Sequence, residues 1–353
     1  MIEINYKNLD LEIYWEEVKK ETFQKPKSDS TNTTLKDYQD KLFIDKKLSV
    51  SLEELYRFLQ EKNDVFKTIF SDIELKTLIL LHVDELNHKV RKIEEKINLL
   101  DEDKQKQLKI ILKDVFQYSK FQAKVLAPYF EKYLNPRTCY YCNIDFINRY
   151  GEEEVEKNGK KEIEFKNKFT LDHFIDKGRY SYLALSLFNL IPCCFICNSK
   201  KIKGSIEFYG NEKLQNTNPY LRSFDFDEKV KFKLFLTDSC EDLDIKSKDN
   251  IDIRLKENYS NKYDCKDGYI EKFQLDKRYQ AHKDIVFEML ENAKLYSDSR
   301  LKELQELTGI PYQEIKKDIF NLIEDDADLS KEPFSKLRKD MADELGIERV
   351  RLK

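Results

Sequence analysis

Two pairs of cysteines in this sequence have the spacing with which proteins hold a metal ion. Cys139 and Cys142 form one Cys-x-x-Cys, and Cys194 and Cys197 form a second. Zinc favours four tetrahedral thiolate ligands, and a tight turn of this spacing supplies two sulfurs. The sequence therefore predicts that all four cysteines share one structural zinc ion. The alternative is that they are ordinary buried cysteines, which are common in protein cores.

The other cysteines do not extend this pattern. The chain has seven cysteines, an odd number, and in a reducing compartment this usage favours metal binding over disulfides. Cys193 competes for register with its neighbour, but only Cys194 leaves two residues before Cys197. We therefore interpret Cys193, and the isolated Cys240 and Cys265, as structural residues.

An Asp-His pair lies between the two cysteine pairs, in the stretch LDHF. Asp172 offers a hard oxygen ligand suited to Mg²⁺ or Mn²⁺, and His173 can accept a proton near neutral pH. Adjacent residues of a strand face opposite ways, so these two share a site only where the strand ends. The sequence Asp-Lys-Gly at 176–178 predicts such a turn just beyond them. Taken alone, a pair of this kind is more often an ordinary surface or core pair.

Polar residues around the second cysteine pair would complete a hydrolytic site. Asn189 starts the apolar run NLIP, and Asn198 directly follows the last cysteine. The lysines that come next are Lys200, Lys201 and Lys203. Fixing Cys197 on zinc would fix the direction of Asn198, and we expect the lysines to lie on an adjoining helix. A hard-metal site, a base and a basic rim are what phosphodiester hydrolysis needs.

The order of these motifs resembles the HNH endonucleases, whose active site is a ββα-metal finger. The resemblance covers about residues 136–205. It implies that Asp172 ends the first strand and binds a catalytic Mg²⁺ or Mn²⁺, with Asn198 as second ligand at the start of the helix. It implies that His173 is the general base that activates water for attack on a DNA phosphodiester. It implies further that Asn189 braces the loop that presents His173.

The lysines and the identity of residue 198 carry further implications of the same resemblance. Lys200 or Lys201 would contact the scissile phosphate, and Lys203 belongs to the same nucleic-acid-binding group. Many members of the family have His where this chain has Asn198. Since Asn is also common there, we expect it to alter metal preference rather than abolish activity.

The flanks of the motif resemble a narrower group of HNH proteins. The stretches NPYLRSFDF and LDKRYQAH are similar to HNH nucleases of bacterial anti-phage systems, including Septu-type and retron-associated effectors. Those proteins work beside an ATPase. The resemblance therefore implies an antiviral defence effector that cuts DNA and is gated by a protein partner such as an ATPase.

Composition limits where the protein acts and how it meets DNA. The 353 residues carry a net charge of −4, so any DNA contact depends on a local basic patch. No apolar run approaches the roughly 20 residues that span a membrane, and the N-terminal stretch lacks the pattern of a secretory signal. The sequence therefore predicts a cytoplasmic protein without a membrane partner.

The predicted fold class is α+β and mainly α-helical, in three regions. Residues 1–134 are predicted to form a helical domain with a surface for a partner or for regulation, and a plain scaffold is the alternative. Residues 135–210 would form the zinc-stabilised ββα-metal core, and residues 211–353 a mixed and then helical region.

Local patterns give these regions their elements. From residue 36 the first region shows four or five helices, with capping-box signatures at Ser51/Glu54 and Ser71/Glu74. In the core, IDFINRY and KEIEFKNKFT predict a hairpin that turns at 158–159. VKFKLFL and IDIRLKE alternate like strands, and QLDKRYQAHKDIVFEMLENAKLY predicts one long helix.

Two other functions fit part of this sequence. A zinc-stabilised module could bind nucleic acid or protein without catalysis, and the four cysteines fit it equally well. A homing or restriction enzyme would share the chemistry but differ in target. The residues that fit only a nuclease are Asp172, His173, Asn189 and Asn198.

Overall fold

Helices make up most of the regular structure in the computed structural model. It describes residues 1–157, 160–204, 206–238, 245–258, 261–324 and 326–348. The α-helices are α1 (Leu11–Lys20), α2 (Thr33–Asp37), α3 (Gln39–Leu42), α4 (Leu52–Lys62), α5 (Asp64–Phe70), α6 (Leu75–Ile79), α7 (Val83–Asn98), α8 (Glu102–Val115), α9 (Tyr118–Phe121), α10 (Ala127–Tyr133), α11 (Phe226–Lys229), α12 (Tyr269–Lys272), α13 (Leu275–Gln280), α14 (Lys283–Leu295), α15 (Asp298–Thr308), α16 (Tyr312–Phe320) and α17 (Ser335–Glu344).

Strands are short and pair two by two within the described ranges. They are β1 (Thr22–Gln24), β2 (Ser49–Ser51), β3 (Arg149–Lys157), β4 (Lys160–Asn167), β5 (Thr170–His173), β6 (Leu190–Cys193), β7 (Val230–Leu236) and β8 (Ile251–Glu257). The pairs β1–β2, β3–β4, β5–β6 and β7–β8 are all antiparallel. The chain is thus a mainly α-helical α+β protein with small sheets, as the sequence predicts.

The N-terminal region is more finely divided than the predicted four or five helices. The capping box at Ser51 is confirmed, because the backbone N–H of Glu54 donates to Ser51 Oγ (3.2 Å) and Ser51 N–H donates to Glu54 Oε2 (2.7 Å). The one at Ser71 is wrong: Ser71 ends α5, and α6 begins only after Glu74. The sequence analysis also missed β1 and β2, in which Thr22 pairs with Ser51 and Gln24 with Ser49.

The strand pairs of the core and C-terminal region follow the predicted patterns. Strands β3 and β4 pair as an antiparallel hairpin, but the first strand lies later than predicted, at Arg149–Lys157 rather than at IDFINRY (144–150). The predicted turn at 158–159 lies outside the described residues, as does Cys240. Strands β7 and β8 pair along their whole length. The predicted long helix is broken at Ala281 and His282 into α13 and α14.

One prediction about the core is wrong. The helix predicted directly after β6 is absent from the described residues 195–204, which instead make consecutive turns. The backbone hydrogen bonds of these turns do not have the constant sequence spacing of a helix. The N–H of Lys203 donates to Cys197 O (3.2 Å), and the N–H of Gly204 donates to Ser199 O (2.8 Å). Gly204 has a φ of +50°, which suits glycine and ends these turns. Strands β5 and β6 therefore form an antiparallel pair that lacks the helix predicted to follow it.

Buried apolar side chains form one continuous cluster that includes residues of all three predicted regions. The cluster extends from Ile2 through Tyr141 and Phe188 to Met341. Elements far apart in sequence thus pack on the strands β5 and β6, which lie in the middle of the chain. Among the described helices, none combines the length and apolar character that crossing a membrane requires.

Candidate functional site

The two cysteine pairs meet in the folded chain. The sulfur atoms of Cys139, Cys142, Cys194 and Cys197 all lie within 4.8 Å of one another, and all four residues are buried. Sulfurs that hold zinc tetrahedrally at about 2.3 Å are separated by about 3.8 Å, and the Sγ atoms of Cys142 and Cys194 are 4.0 Å apart. The group could therefore hold a metal ion such as zinc.

The surroundings of this group suit an anionic metal–thiolate centre. Burial raises the pKa of the Cys139 and Cys197 thiols, whereas hydrogen bonds from the other three thiols and the charge of Arg278 outweigh burial and lower the pKa of Cys142. Four thiolates together would require a cation. The guanidinium of Arg278 donates to Cys197 Sγ (3.1 Å) and to Asp145 Oδ2 (3.3 Å). Spacing in the sequence gave no sign that Arg278 would reach the cluster. Cys193 lies outside the cluster, with its Sγ 3.4 Å from Thr170 Oγ1.

The first cysteine pair also fixes Asp172. Tyr141, which lies between Cys139 and Cys142, donates its hydroxyl to Asp172 Oδ2 at 2.7 Å. The ring of Tyr141 stacks on Phe273 at 4.6 Å between centroids, which holds the hydroxyl in place. The cysteine cluster and the acidic residue of the Asp-His pair are thus joined through one buried tyrosine.

Lys203 occupies the position where a cation would sit on Asp172. Its ammonium lies 3.1 Å from Oδ1 and 2.9 Å from Oδ2 of Asp172, and donates to the backbone oxygen of His173 at 2.7 Å. Both side chains are buried, at 3% and 4% exposure. The prediction that Lys203 binds nucleic acid is therefore wrong for this conformation. A divalent ion can take the Asp172 carboxylate only if the ammonium withdraws.

A backbone carbonyl fixes the orientation of the His173 ring. Its Nε2 lies 3.0 Å from the carbonyl oxygen of Ala184. Because a carbonyl can only accept, Nε2 carries the proton and Nδ1 keeps its lone pair. Burial, followed by the ammonium of Lys177 and then that of Lys203, holds the pKa of His173 well below its ordinary value. The imidazole is therefore neutral at pH 7.

The loop between β5 and β6 is cross-linked by Asn189. Its Nδ2 donates to the carbonyl oxygens of Ile175 (3.0 Å) and Leu183 (3.2 Å), and its Oδ1 accepts from Ile175 N–H (2.7 Å). Leu183 precedes Ala184, the residue that accepts from His173. Asn189 thus fixes both ends of the loop that orients the imidazole.

The remaining predicted site residues are Asn198, which is hydrogen-bonded to β5, and Lys200 and Lys201, which are exposed. Asn198 donates from Nδ2 to Thr170 Oγ1 at 2.9 Å, so its amide bonds to β5 two residues before Asp172. Among the residues that the structure describes, the hydrogen-bond partners of the Asp172 carboxylate are Tyr141 and Lys203, and Asn198 is not one of them. Lys200 and Lys201 are exposed on the turns after Cys197.

The helical region closes the site. Tyr118, the first residue of α9, places its ring edge-on to His173 at 4.5 Å between centroids and donates to Leu171 O at 3.2 Å. The ammonium of Lys177 lies over the Tyr118 ring, 3.8 Å from the ring centroid. As a result His173 is only 6% exposed, and a DNA phosphate cannot approach it in this conformation.

Truncation of Tyr118 is expected to open this site. In Tyr118→Ala the imidazole loses an edge-to-face partner worth roughly 1 kcal/mol and its cover, so local opening becomes easier. We expect modification of His173 by diethylpyrocarbonate, mapped by peptide mass spectrometry, to speed up about tenfold, which corresponds to about 1.4 kcal/mol. Tyr133→Ala, which truncates a half-buried tyrosine of α10, is the control and leaves the rate unchanged. Equal rates in all three proteins would show that Tyr118 does not limit access.

Comparison with known proteins adds no relative. No family model, no curated protein and no solved structure matches this chain.

Proposed function

We propose that this chain is a metal-dependent DNA endonuclease of the HNH type, and that the conformation described is its closed state. One observation carries the proposal: His173 has its Nε2 committed to Ala184 on a loop fixed by Asn189, next to a carboxylate that already holds a cation. An ordinary core histidine needs neither the loop brace nor an adjacent acid with an ammonium on it. The resemblance of the motif order to HNH enzymes supports the same reading.

In this proposal the residues act in the following way. His173 accepts a proton from water at Nδ1, while Ala184 keeps the ring oriented through Nε2. Opening the site to water would bring the pKa of His173 back toward its ordinary value, where it is a stronger base. Asp172, with the backbone oxygen of His173 beside it, would hold Mg²⁺ or Mn²⁺ once Lys203 has withdrawn. The ion would stabilise negative charge on the phosphate and on the leaving oxygen.

The four-cysteine group is proposed to hold a structural zinc ion. Four buried sulfurs without a carboxylate or an open position are typical of structural rather than catalytic zinc. Its part in the reaction is indirect, because Tyr141 extends from the first cysteine pair to Asp172. Zinc would thereby set the position of the carboxylate.

The closed site supports the proposal that a partner gates the enzyme. Residues of the helical region contact the β5–β6 loop at several points. Tyr14 donates to Leu185 O at 2.9 Å and Tyr182 to Glu94 Oε1 at 2.9 Å, in addition to the Tyr118 contact. A partner that binds the helices could release all three contacts together. The resemblance to anti-phage effectors names an ATPase as the kind of partner.

A plasmid assay tests the proposed activity. Purified protein is incubated with supercoiled plasmid and Mg²⁺ or Mn²⁺, in the wild-type and Tyr118→Ala backgrounds. We expect nicking that Tyr118→Ala accelerates and that His173→Ala lowers about 10²–10⁴-fold, the usual worth of a general base. His88→Ala, which removes an exposed histidine of α7, is the matched control and cuts normally. Equal cutting by His173→Ala and its parent would refute the assigned base.

A second function has one specific observation in its favour. The Asp172–Lys203 ion pair is complete and buried, and a zinc-stabilised binding module without catalysis would need nothing more there. This alternative predicts that Tyr118→Ala exposes His173 without producing any cutting in either metal. Cutting by Tyr118→Ala that depends on His173 would therefore exclude this alternative.

A further inference from the structure

The two residues between the cysteines are buried in the first cysteine pair and exposed in the second. Between Cys139 and Cys142, Tyr140 and Tyr141 are buried in the core. Between Cys194 and Cys197, Phe195 is 60% exposed and Ile196 is 50% exposed. Metal binding requires neither side chain, because the cysteines alone supply the ligands. The two exposed apolar residues therefore need another explanation.

Positive charge adjoins this apolar pair. Lys200 and Lys201 follow within five residues of Ile196 and are exposed. In the described part of the chain, no carboxylate forms an ion pair with either lysine. Backbone bonds keep the segment compact, since Ser199 N–H donates to Ile196 O at 3.1 Å. We call the surface formed by Phe195, Ile196, Lys200 and Lys201 the knuckle tip.

The combination identifies the chemistry of a partner. Exposed aromatic and branched apolar side chains stack on bases or wedge between them, and lysines contact phosphates. On a chain with net charge −4, a local cationic segment is what an anionic polymer would require. A purely apolar protein partner would not explain two exposed lysines, without a carboxylate partner among the described residues, beside the apolar pair.

The knuckle tip also adjoins the proposed active site. Asn198, in the middle of the segment, donates to Thr170 Oγ1 on β5 at 2.9 Å. Asp172 and His173 end that same strand. A nucleic acid held at the knuckle tip would therefore lie near the start of β5, two residues before Asp172.

We propose that the knuckle tip binds nucleic acid whose bases are unpaired or unstacked, with Phe195 stacked on a base, Ile196 as a wedge and the lysines on flanking phosphates. The identification of this nucleic acid as the substrate rests on the proposed function, whereas the binding itself does not. The enzyme would then favour single-stranded or distorted sites over regular duplex.

Fluorescence anisotropy with the full chain tests the proposal without any cutting. The probes are labelled oligonucleotides: a fully paired duplex, the same duplex with a central bubble, and its single strand, with no added divalent metal. Wild type is expected to bind the bubble and the single strand about tenfold more tightly than the duplex, the worth of about one stacked base. Phe195→Ala/Ile196→Ala is expected to lose this preference, and Lys200→Gln/Lys201→Gln to weaken all three and reduce the salt slope by roughly 1–2.

Two control variants on α15 remove an exposed apolar side chain and an exposed lysine elsewhere on the surface. Leu307→Ala removes a side chain that is 75% exposed, and Lys302→Gln removes an exposed lysine, and both are expected to bind like wild type. Equal binding of bubble and duplex by wild type, or an unchanged preference in Phe195→Ala/Ile196→Ala, would overturn the proposal. Binding of an acidic peptide in place of all three oligonucleotides would also overturn it and indicate a protein partner. If bubble binding holds but the plasmid assay shows no cutting, only the proposed nuclease fails.

Discussion

Cys142→Ser is expected to remove zinc and to unfold the centre of the chain. Zinc held by four cysteines contributes about 10–16 kcal/mol, which matches or exceeds the roughly 5–15 kcal/mol of net stability of a typical domain. Cys142 is wholly buried in the cluster, and its backbone oxygen accepts from the hydroxyl of Tyr279 at 2.7 Å. Loss of the metal would therefore disturb contacts that extend to α13. The measurements are zinc content by plasma mass spectrometry and thermal unfolding by calorimetry.

The control for this variant is a neighbouring buried cysteine. Cys193→Ala removes a thiol that contacts Thr170 rather than the cluster. It is expected to retain one zinc per chain and to lose only about 1 kcal/mol of unfolding free energy, as a small core truncation does. A Cys142→Ser protein that keeps both its zinc and its melting temperature would show that the four sulfurs are not a zinc site.

Sequence signals that are local in the chain predicted the structure well. The capping box of Ser51 and Glu54 depends on residues three apart, and the strands β7 and β8 on alternation within seven residues. The signature at Ser71 failed because the same local pattern can also follow the end of a helix. There, α5 continues to Phe70, so Ser71 became the end of one helix rather than the start of the next.

The rest of the site depends on contacts between residues that are far apart in the sequence. The cysteine pairs could be predicted to meet because metal coordination itself demands four ligands. Nothing of this kind relates Tyr118 to His173, which are 55 positions apart, or Lys203 to Asp172. A lysine in a polar stretch is usually exposed, and the resemblance to HNH enzymes therefore led us to place Lys203 in the nucleic-acid-binding group. Burial of Lys203 follows from the compact turns at 195–204, which replace the expected helix.

Lys203→Met is expected to destabilise the protein strongly in the absence of divalent metal and to create a dependence on it. Removing one partner of a buried ion pair costs about 3–5 kcal/mol, because the other charge stays buried and unpaired. Among the described residues, Asp172 would then keep only the Tyr141 hydroxyl as a partner. Under the proposed function, Mn²⁺ would replace the lost ammonium at the Asp172 carboxylate. At a concentration about 100-fold above its Kd, the ion would restore roughly 2.7 kcal/mol.

The measurement is calorimetric unfolding of Lys203→Met across a series of Mn²⁺ and Mg²⁺ concentrations. The double variant Lys203→Met/Asp172→Asn is the control, since its neutral amide leaves no unpaired charge and no strong metal ligand. Its melting temperature should exceed that of Lys203→Met without metal and should not respond to either ion. If Lys203→Met is equally indifferent to metal, Asp172 does not bind a catalytic ion. The buried pair would then be a structural substitute for metal, and the binding module would be the better account of the chain.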